Sequence, residues 1–141
     1  MKIELKRKNE AVHFEAVNES GFKIAIDGSP AIGGENKGAR PMELLIMGLG
    51  GCSGIDIISI LKKMKQHVED FSISIEADRE QGKEPSLFEK IHVLFTLKGD
   101  LDPAKVEKAV QLSMDKYCSV AKTLEKTATI TYAFTIQPGL Q

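Results

Sequence analysis

The chain has 141 residues, of which 42% are hydrophobic and 28% are charged, and this profile is typical of one soluble folded domain rather than a disordered chain. Its formal net charge is −1 and its pI is about 6.3, which argues against a nucleic-acid partner because such proteins usually carry a basic surface. We therefore expect a single domain over residues 1–141.

The first forty residues predict three strands followed by a long loop. Apolar residues alternate with polar or charged ones over residues 1–7, 12–16 and 22–26, which is the two-residue period of a β-strand. Residues 27–40 are rich in glycine and form a loop that is long for a compact domain. Loops of this length are usually functional, and we expect this one to contact a second chain.

A long helix is predicted from Pro41, a residue that suits the first helical position, to about Gln66. Four glycines fall within residues 48–54, and each costs up to about 1 kcal/mol relative to alanine in a helix interior. We expect that cost to be offset by packing, with the helix buried and another backbone lying close against it.

No membrane partner is predicted. The apolar stretch from Leu44 to Leu61 is interrupted by glycines and by polar residues such as Asp56, which makes it too polar for a clear membrane span. The N-terminal sequence MKIELKRKNE has charges every few residues, unlike the apolar core of a signal peptide. We therefore expect a cytoplasmic protein, in which two cysteines are unlikely to form a permanent disulfide.

The second half of the chain predicts a hairpin, two helices and a last strand. Residues 71–77 and 91–97 alternate as paired strands around a turn at 81–85. Asp102 and Pro103 start a helix, a short helix follows from Ser119, and residues 130–136 alternate as a strand. The order of strands and helices is that of an α+β fold.

Cys52 and Cys118 are the candidate reactive residues. Cys52 lies in the long helix, where a cysteine is often an inert apolar residue, and Asp56 lies one turn further on the same face. The Asp56 carboxylate either disfavours a thiolate at Cys52 or is paired by hydrogen bonds. Cys118 directly precedes a helix, whose free N–H groups lower the pKa of a nearby thiol. The alternative is a packed cysteine at a helix junction.

No metal or phosphate site is predicted. His13, His67 and His92 are far apart in the sequence, and the chain has neither a Cys-x-x-Cys nor a His-x-x-x-His pair. These are the spacings by which zinc sites are usually recognised. The glycine pairs do not follow the strand–GxxxxGK–helix pattern of a phosphate loop.

Two segments carry a family resemblance. Residues 40–52 read RPMELLIMGLGGC, with a proline, an acidic residue, small residues and then a cysteine, and residues 117–124 read YCSVAKTL. The first resembles the start of the central helix, and the second resembles the second cysteine site, of the OsmC/Ohr family. That family comprises osmotically induced protein C and the organic hydroperoxide resistance proteins. The order of elements agrees along nearly the whole chain, and residues 50–56 are most similar to the divergent OsmC-like branch.

The resemblance implies a fold, an assembly and a reaction. The fold has antiparallel sheets packed on a long central helix, in an intertwined homodimer with active sites at the subunit interface. The reaction is the thiol-dependent reduction of organic hydroperoxides, which needs no cofactor. Cys52 becomes a sulfenic acid and Cys118 condenses with it to a disulfide, which a dithiol reductant then reduces by exchange.

The resemblance also implies an activating arginine and an acidic partner. A reactive thiolate needs a cation nearby, and we expect Arg40, with Arg7 as the second candidate, to serve Cys52. Glu43 would hold the Arg40 guanidinium, or alternatively only complement the positive end of the helix. In the hydroperoxide resistance proteins the acidic residue directly follows the proline, where this chain has Met42.

Two other functions stay open at this point. The first is a non-enzymatic module of the same fold that binds a small apolar ligand in the interface pocket. The second is a relay that handles the sulfur or the disulfides of other thiols. Only the peroxidase requires a peroxide-driven disulfide between Cys52 and Cys118.

Overall fold

The structure of the chain is a computed structural model that describes residues 1–140. Its internal contacts divide the chain into two compact units, the first from Met1 to Leu45 and the second from Ile46 onward. The order is three strands, a long helix, two strands, two helices and a last strand. The α+β fold class is therefore confirmed.

The first unit is built on an antiparallel sheet of strands β1 (Ile3–Arg7), β2 (Phe14–Asn18) and β3 (Lys23–Ile26), in that order. The turn between β2 and β3 is stabilised by Asn18, whose side-chain oxygen accepts hydrogen bonds from the backbone N–H groups of Ser20 and Phe22 at 3.0 and 2.9 Å. Asparagine favours turns because its side chain can bond to the backbone two residues on. All three predicted strands are present.

The long loop after β3 is ordered by a buried carboxylate. Asp27 is only 1% exposed, and its oxygens accept hydrogen bonds from the backbone N–H groups of Gly28, Glu35 and Lys37 at 2.8, 3.0 and 3.0 Å. The bond from Lys37, helped by the other two, holds the pKa of Asp27 below its ordinary value although burial acts in the opposite direction. A Cβ at Gly34 would lie 1.7 Å from the Gly28 carbonyl oxygen, so this turn requires glycine.

The long helix, α1, runs from Pro41 to Lys63. Its buried residues recur every four positions, so they lie on one face of the helix: Leu49, Ser53, Ile57 and Leu61. Met47, Ile55 and Ile58 are apolar but 57%, 70% and 40% exposed. The prediction of a buried helix is therefore wrong for this face, because the sheet of the second unit covers only one side of a helix that is apolar on both.

That sheet contains β4 (Asp70–Arg79), β5 (Phe88–Lys98) and β6 (Thr129–Gln137), in that order. The β4–β5 hairpin is antiparallel, as predicted, whereas β6 runs parallel to β5. A parallel pair needs a crossover connection, and α2 (Pro103–Leu112) and α3 (Ser119–Leu124) provide it. The core between the sheet and the helices is formed by apolar side chains of β5 and α2: Ile91, Val93, Phe95, Leu97, Val106, Ala109 and Val110.

Two glycines of α1 leave space that side chains of β4 fill. A Cβ at Gly54 would lie 2.9 Å from Cδ1 of Ile73, and one at Gly50 would lie 3.2 Å from Cδ1 of Ile75. The sequence predicted that another backbone lies close against the helix at its glycines. At Gly50 and Gly54 this prediction is wrong, because isoleucine side chains occupy the space. The glycines of α1 therefore bring the helix and the sheet together and so help to place Cys52, which lies between them in sequence.

By length and composition α1 could cross a membrane, since its mean hydropathy over an 18-residue window is 2.0. The glycines and polar residues that interrupt α1 therefore do not exclude a membrane span on composition alone. The buried face of α1 packs within a folded unit, and a core helix of this kind passes the same test. The packing, rather than the composition, favours a core helix.

Candidate redox site

Cys52, Asp56 and Cys118 form a cluster in the second unit. The two sulfur atoms and a carboxylate oxygen of Asp56 all lie within 4.8 Å of one another. Cys52 and Asp56 are one turn apart on α1, whereas Cys118 comes from the junction before α3. Both cysteines are free thiols. Since a disulfide requires sulfurs about 2.05 Å apart, the two side chains have to move closer together before a bond can form.

Cys118 is held by the backbone of a helix junction. A π-helical turn, Ser113–Tyr117, separates α2 from α3, and such turns are frequent at functional sites. The Cys118 N–H donates to the Ser113 carbonyl at 2.7 Å. Its sulfur caps α3 by accepting a hydrogen bond from the N–H of Ala121 at 3.4 Å. The position of this thiol is therefore fixed from both sides along the chain.

The Cys118 thiol is not an activated one. Its side chain is completely buried, and burial, reinforced by the neighbouring Cys52 sulfur, raises the pKa of Cys118 to about 11. The N–H groups of Ala121 and Val120 act in the lowering direction, as expected at a helix start, but with a smaller effect. The expectation of a lowered pKa was therefore wrong, because desolvation outweighs the helix terminus.

Ser113 joins the two sides of the cluster. Its hydroxyl donates to Oδ2 of Asp56 at 3.1 Å and also lies 3.4 Å from the Ser53 carbonyl oxygen. Its own carbonyl accepts the hydrogen bond from the N–H of Cys118. One buried serine thus fixes the carboxylate on α1 and the backbone of the second cysteine. The expectation that Asp56 is paired by a hydrogen bond is confirmed, and its carboxylate also lies beside the thiols.

The two thiols differ in accessibility. Cys52 is half-buried and Cys118 is buried. Cys52 is therefore the cysteine that a small molecule from solvent can reach more easily. This arrangement suits a reaction in which one thiol attacks an outside molecule and the other completes a disulfide.

Arg40 and Glu43 lie in the first unit and interact through the backbone. Glu43 Oε1 accepts a hydrogen bond from the N–H of Arg40 at 2.8 Å, which is half of a capping box at the start of α1. The guanidinium of Arg40 donates instead to the Gly38 carbonyl at 3.2 Å and to the side-chain oxygen of Asn36. The expected pairing of Glu43 with the guanidinium was therefore wrong, because the helix start leaves a backbone N–H that needs an acceptor.

A sequence profile described as "OsmC-like protein" matches residues 34–133, which is well over half of the chain. The chain belongs to the OsmC-like family. The matched range includes both cysteines, α1 and the complete connection between the last two strands.

Relatives of this OsmC-like chain support the same assignment. Protein YhfA of Escherichia coli K12 is 40% identical over 128 residues, which cover 90% of this chain and 92% of that protein. A hypothetical protein from Aquifex aeolicus has a TM-score of 0.84 at 33% identity, covering 97% and 96% of the two chains. The organic hydroperoxide resistance protein OhrB of Bacillus subtilis has a TM-score of 0.67 at 17% identity, covering 95% and 96%, and this last likeness shows the fold alone.

Two features of the OsmC-like site were missed by sequence reasoning. Ser113 is one of these, because its hydrogen bond to Asp56 spans 57 positions of sequence. The π-helical turn before Cys118 has no periodic signal of its own. The sequence feature that came closest to predicting this site was the four-residue spacing of Cys52 and Asp56. That spacing places both on one helix face and depends only on local geometry.

Proposed function

We propose that this protein is a thiol peroxidase that reduces organic hydroperoxides through Cys52 and Cys118. The observation that carries the proposal is the pair of free thiols within 4.8 Å, one half-buried and the other buried. Membership of the OsmC-like family and the name of the B. subtilis relative supply the substrate class.

In the first step the Cys52 thiolate attacks the outer oxygen of the hydroperoxide. The O–O bond breaks, the sulfur takes one oxygen as a sulfenic acid, and the alkoxide leaves as an alcohol after taking a proton. Cys52 is assigned this step because it is the more accessible thiol. The pKa of about 11 at Cys118 keeps that thiol protonated at neutral pH, which suits a resolving rather than an attacking role.

In the second step the sulfur of Cys118 attacks the sulfenic acid of Cys52. A disulfide forms and the oxygen leaves as water, with the thiol proton of Cys118 completing it. A dithiol reductant then attacks the disulfide, becomes a disulfide itself and returns both cysteines to thiols. The oxidising equivalents come from the hydroperoxide and the electrons from the dithiol, so no cofactor is needed.

Arg40 is proposed as the cation that favours the Cys52 thiolate because the family resemblance implies an arginine in this role, and arginine stays charged at all physiological pH values. Glu43 contributes through the backbone of Arg40 at the start of α1. In a Cys118→Ser background, Arg40→Ala should slow alkylation of Cys52 at neutral pH by about tenfold, the size expected for losing a charge interaction of about 1.4 kcal/mol. An unchanged rate would show that another group activates Cys52.

A homodimer in the cytoplasm is part of the proposal. The apolar residues Met47, Ile55 and Ile58 on α1 are exposed in the single chain, and apolar helix faces of this kind are usually covered by a partner. A second copy that covers this face in an obligate dimer would bury more than about 2,000 Å² in total. Light scattering should give a dimer at micromolar concentration, and a monomer would overturn this part.

The test of the reaction is a thiol count. Reduced protein is treated under argon with one equivalent of cumene hydroperoxide, with hydrogen peroxide as the comparison, and the remaining thiols are titrated. We expect both thiols to disappear within one turnover, faster with the organic substrate. A second incubation with the disulfide of another dithiol separates a relay from a peroxidase: if only that disulfide oxidises the pair, the peroxidase proposal fails.

A further inference from the structure

We propose that the reduced cluster of Cys52, Asp56 and Cys118 is a zinc-binding site with two sulfur ligands and one oxygen ligand. The proposal concerns binding by the reduced protein and does not depend on peroxidase activity. It rests on the geometry of the three side chains, on how they are held, and on the ligand preferences of zinc.

The spacing of the three ligand atoms is close to the spacing that a metal ion requires. They lie within 4.8 Å of one another. In a tetrahedral zinc site, bonds of about 2.3 Å to sulfur and about 2.0 Å to oxygen place neighbouring ligand atoms about 3.4–3.8 Å apart. The ligand atoms therefore need to move closer together, and the half-buried side chains of Cys52 and Asp56 lie on one helix face, from which both can approach an ion.

Hydrogen bonds from neighbouring residues orient the ligand side chains. Ser113 donates to Oδ2 of Asp56 at 3.1 Å, which orients the carboxylate beside the two sulfurs. Ala121 donates its N–H to the sulfur of Cys118 at 3.4 Å, a contact that stabilises a coordinated thiolate. Outer hydrogen bonds of this kind orient metal ligands and are typical of functional metal sites.

The ligand set favours zinc. Thiolate ligands select zinc among the common divalent ions, and carboxylate oxygen is a regular third ligand. Three protein ligands leave a fourth position, which water or a small thiol can fill. On binding, the two thiols release their protons to solvent and the carboxylate contributes its charge, so three negative ligand charges surround the two positive charges of the ion.

Sequence spacing could not find this site. The usual zinc signals depend on ligand pairs a few residues apart, whereas these ligands are separated by 66 positions between Cys52 and Cys118. The consequence of binding is that the metal and the oxidant compete for the same sulfurs. A zinc-bound cluster cannot form the disulfide, and an oxidised cluster has lost both thiolate ligands.

The experiment uses the full-length reduced protein under argon. Co²⁺ is added as a spectroscopic substitute for zinc, followed by Zn²⁺ in competition with a chromogenic chelator. We expect one Co²⁺ per chain, with thiolate-to-cobalt charge-transfer bands in the near ultraviolet and strong visible bands of tetrahedral geometry, all displaced by one equivalent of Zn²⁺. Protein oxidised to the disulfide should show none of them.

Matched variants assign the ligands. Cys52→Ser and Cys118→Ser should abolish the charge-transfer bands or halve them, and Asp56→Asn should weaken zinc binding at least about tenfold, with Ser113→Ala weakening it less. Asp78→Asn, which removes an exposed carboxylate of β4, should bind as the parent does. Circular dichroism of each variant confirms that it is folded.

Two results would overturn the site. One is the lack of stoichiometric binding by parent protein whose two thiols are titratable, and the other is unchanged affinity in folded Asp56→Asn. The outcomes separate the two proposals as well. Protein that binds zinc but leaves cumene hydroperoxide intact refutes the peroxidase alone, and protein that consumes peroxide but binds no metal refutes the zinc site alone.

Discussion

Asp27 in the first unit and Asp56 in the second are both carboxylates with restricted exposure, and their surroundings differ. Asp27 is 1% exposed and accepts three backbone hydrogen bonds. Asp56 is half-buried, accepts a hydrogen bond from the Ser113 hydroxyl, and has two thiols within 4.8 Å. Within residues 1–140, both oxygens of Asp27 accept backbone hydrogen bonds, whereas the hydrogen bond to Asp56 goes to Oδ2.

A structural carboxylate can be distinguished from a functional one by the groups that surround its oxygens. A carboxylate whose oxygens are filled by backbone N–H groups orders the chain and has little capacity left for chemistry. A carboxylate with remaining acceptor sites beside nucleophilic sulfurs can influence a proton, a thiolate or a metal ion. Substitutions at the two positions should therefore change different properties.

The largest expected effect belongs to the thiols beside Asp56. Cys52→Ser should reduce the rate of cumene hydroperoxide reduction by at least about 1,000-fold, because removal of an attacking nucleophile leaves only background reaction. Cys118→Ser should still consume one equivalent and then stop with a sulfenic acid, which dimedone labels. Equal losses in both variants, with no dimedone adduct in Cys118→Ser, would contradict the assigned roles.

The largest expected effect on stability belongs to Asp27. Asp27→Asn should lower the Tm by several degrees at pH 7, because three backbone donors lose a charged acceptor. The pKa of Asp27 is lowered in the folded state, so its contribution is fully present above the unfolded pKa of about 3.9 and is lost as the pH falls through the lower folded pKa.

Thermal unfolding of the parent and of Asp27→Asn from pH 2 to pH 7 checks this sign. The gap between the two Tm values should be widest at neutral pH and should narrow below about pH 4. Asp78→Asn is the control, since that carboxylate is exposed and its loss should change the Tm little. A gap that does not depend on pH would mean that the Asp27 charge does not stabilise the loop.

A smaller effect is expected at Asp56, where substitution should raise a reaction rate instead of lowering one. In a Cys118→Ser background, Asp56→Asn should increase the rate of Cys52 alkylation at pH 7 by about three- to tenfold, because an anion near the sulfur disfavours the thiolate. Stability should fall by only about 1 kcal/mol, since the Ser113 hydroxyl also lies near the Ser53 carbonyl. A slower reaction after this substitution would indicate that Asp56 accepts the thiol proton instead.

The smallest effect is expected at the start of α1. Glu43→Ala should cost about 0.5–1 kcal/mol of stability, because the N–H of Arg40 loses its acceptor. Glu43→Gln keeps an oxygen at the same place and should restore most of the loss in urea unfolding. If the glutamine variant is as unstable as the alanine variant, the charge at the helix start matters more than the hydrogen bond.

The fold could be predicted from the sequence to the extent that its signals are local. The alternation in β1–β6, the proline at the start of α1 and the Asp102 cap of α2 each depend on neighbouring residues. The parallel pairing of β5 with β6 could not be predicted in this way, since it depends on how the connection between them packs. The exposed face of α1 was missed because apolar composition does not say which surface covers it.

The site could be predicted less completely. Cys52, Asp56 and Cys118 were recognisable as chemical groups, and the family resemblance brought the two cysteines together. The raised pKa of Cys118 was not predictable, because burial is a property of the packed core and outweighs the local helix terminus. Ser113, which joins the cluster, has no sequence signal that distinguishes it from other helix serines.

The most direct test of the account is a non-reducing peptide map after one equivalent of cumene hydroperoxide. The two sulfurs lie within 4.8 Å in a single chain, so we expect a cross-linked peptide pair containing Cys52 and Cys118, formed within one chain. The protein should therefore migrate as a monomer on a denaturing gel without reductant. Two free thiols after the peroxide is consumed, or a disulfide that joins two chains, would contradict it.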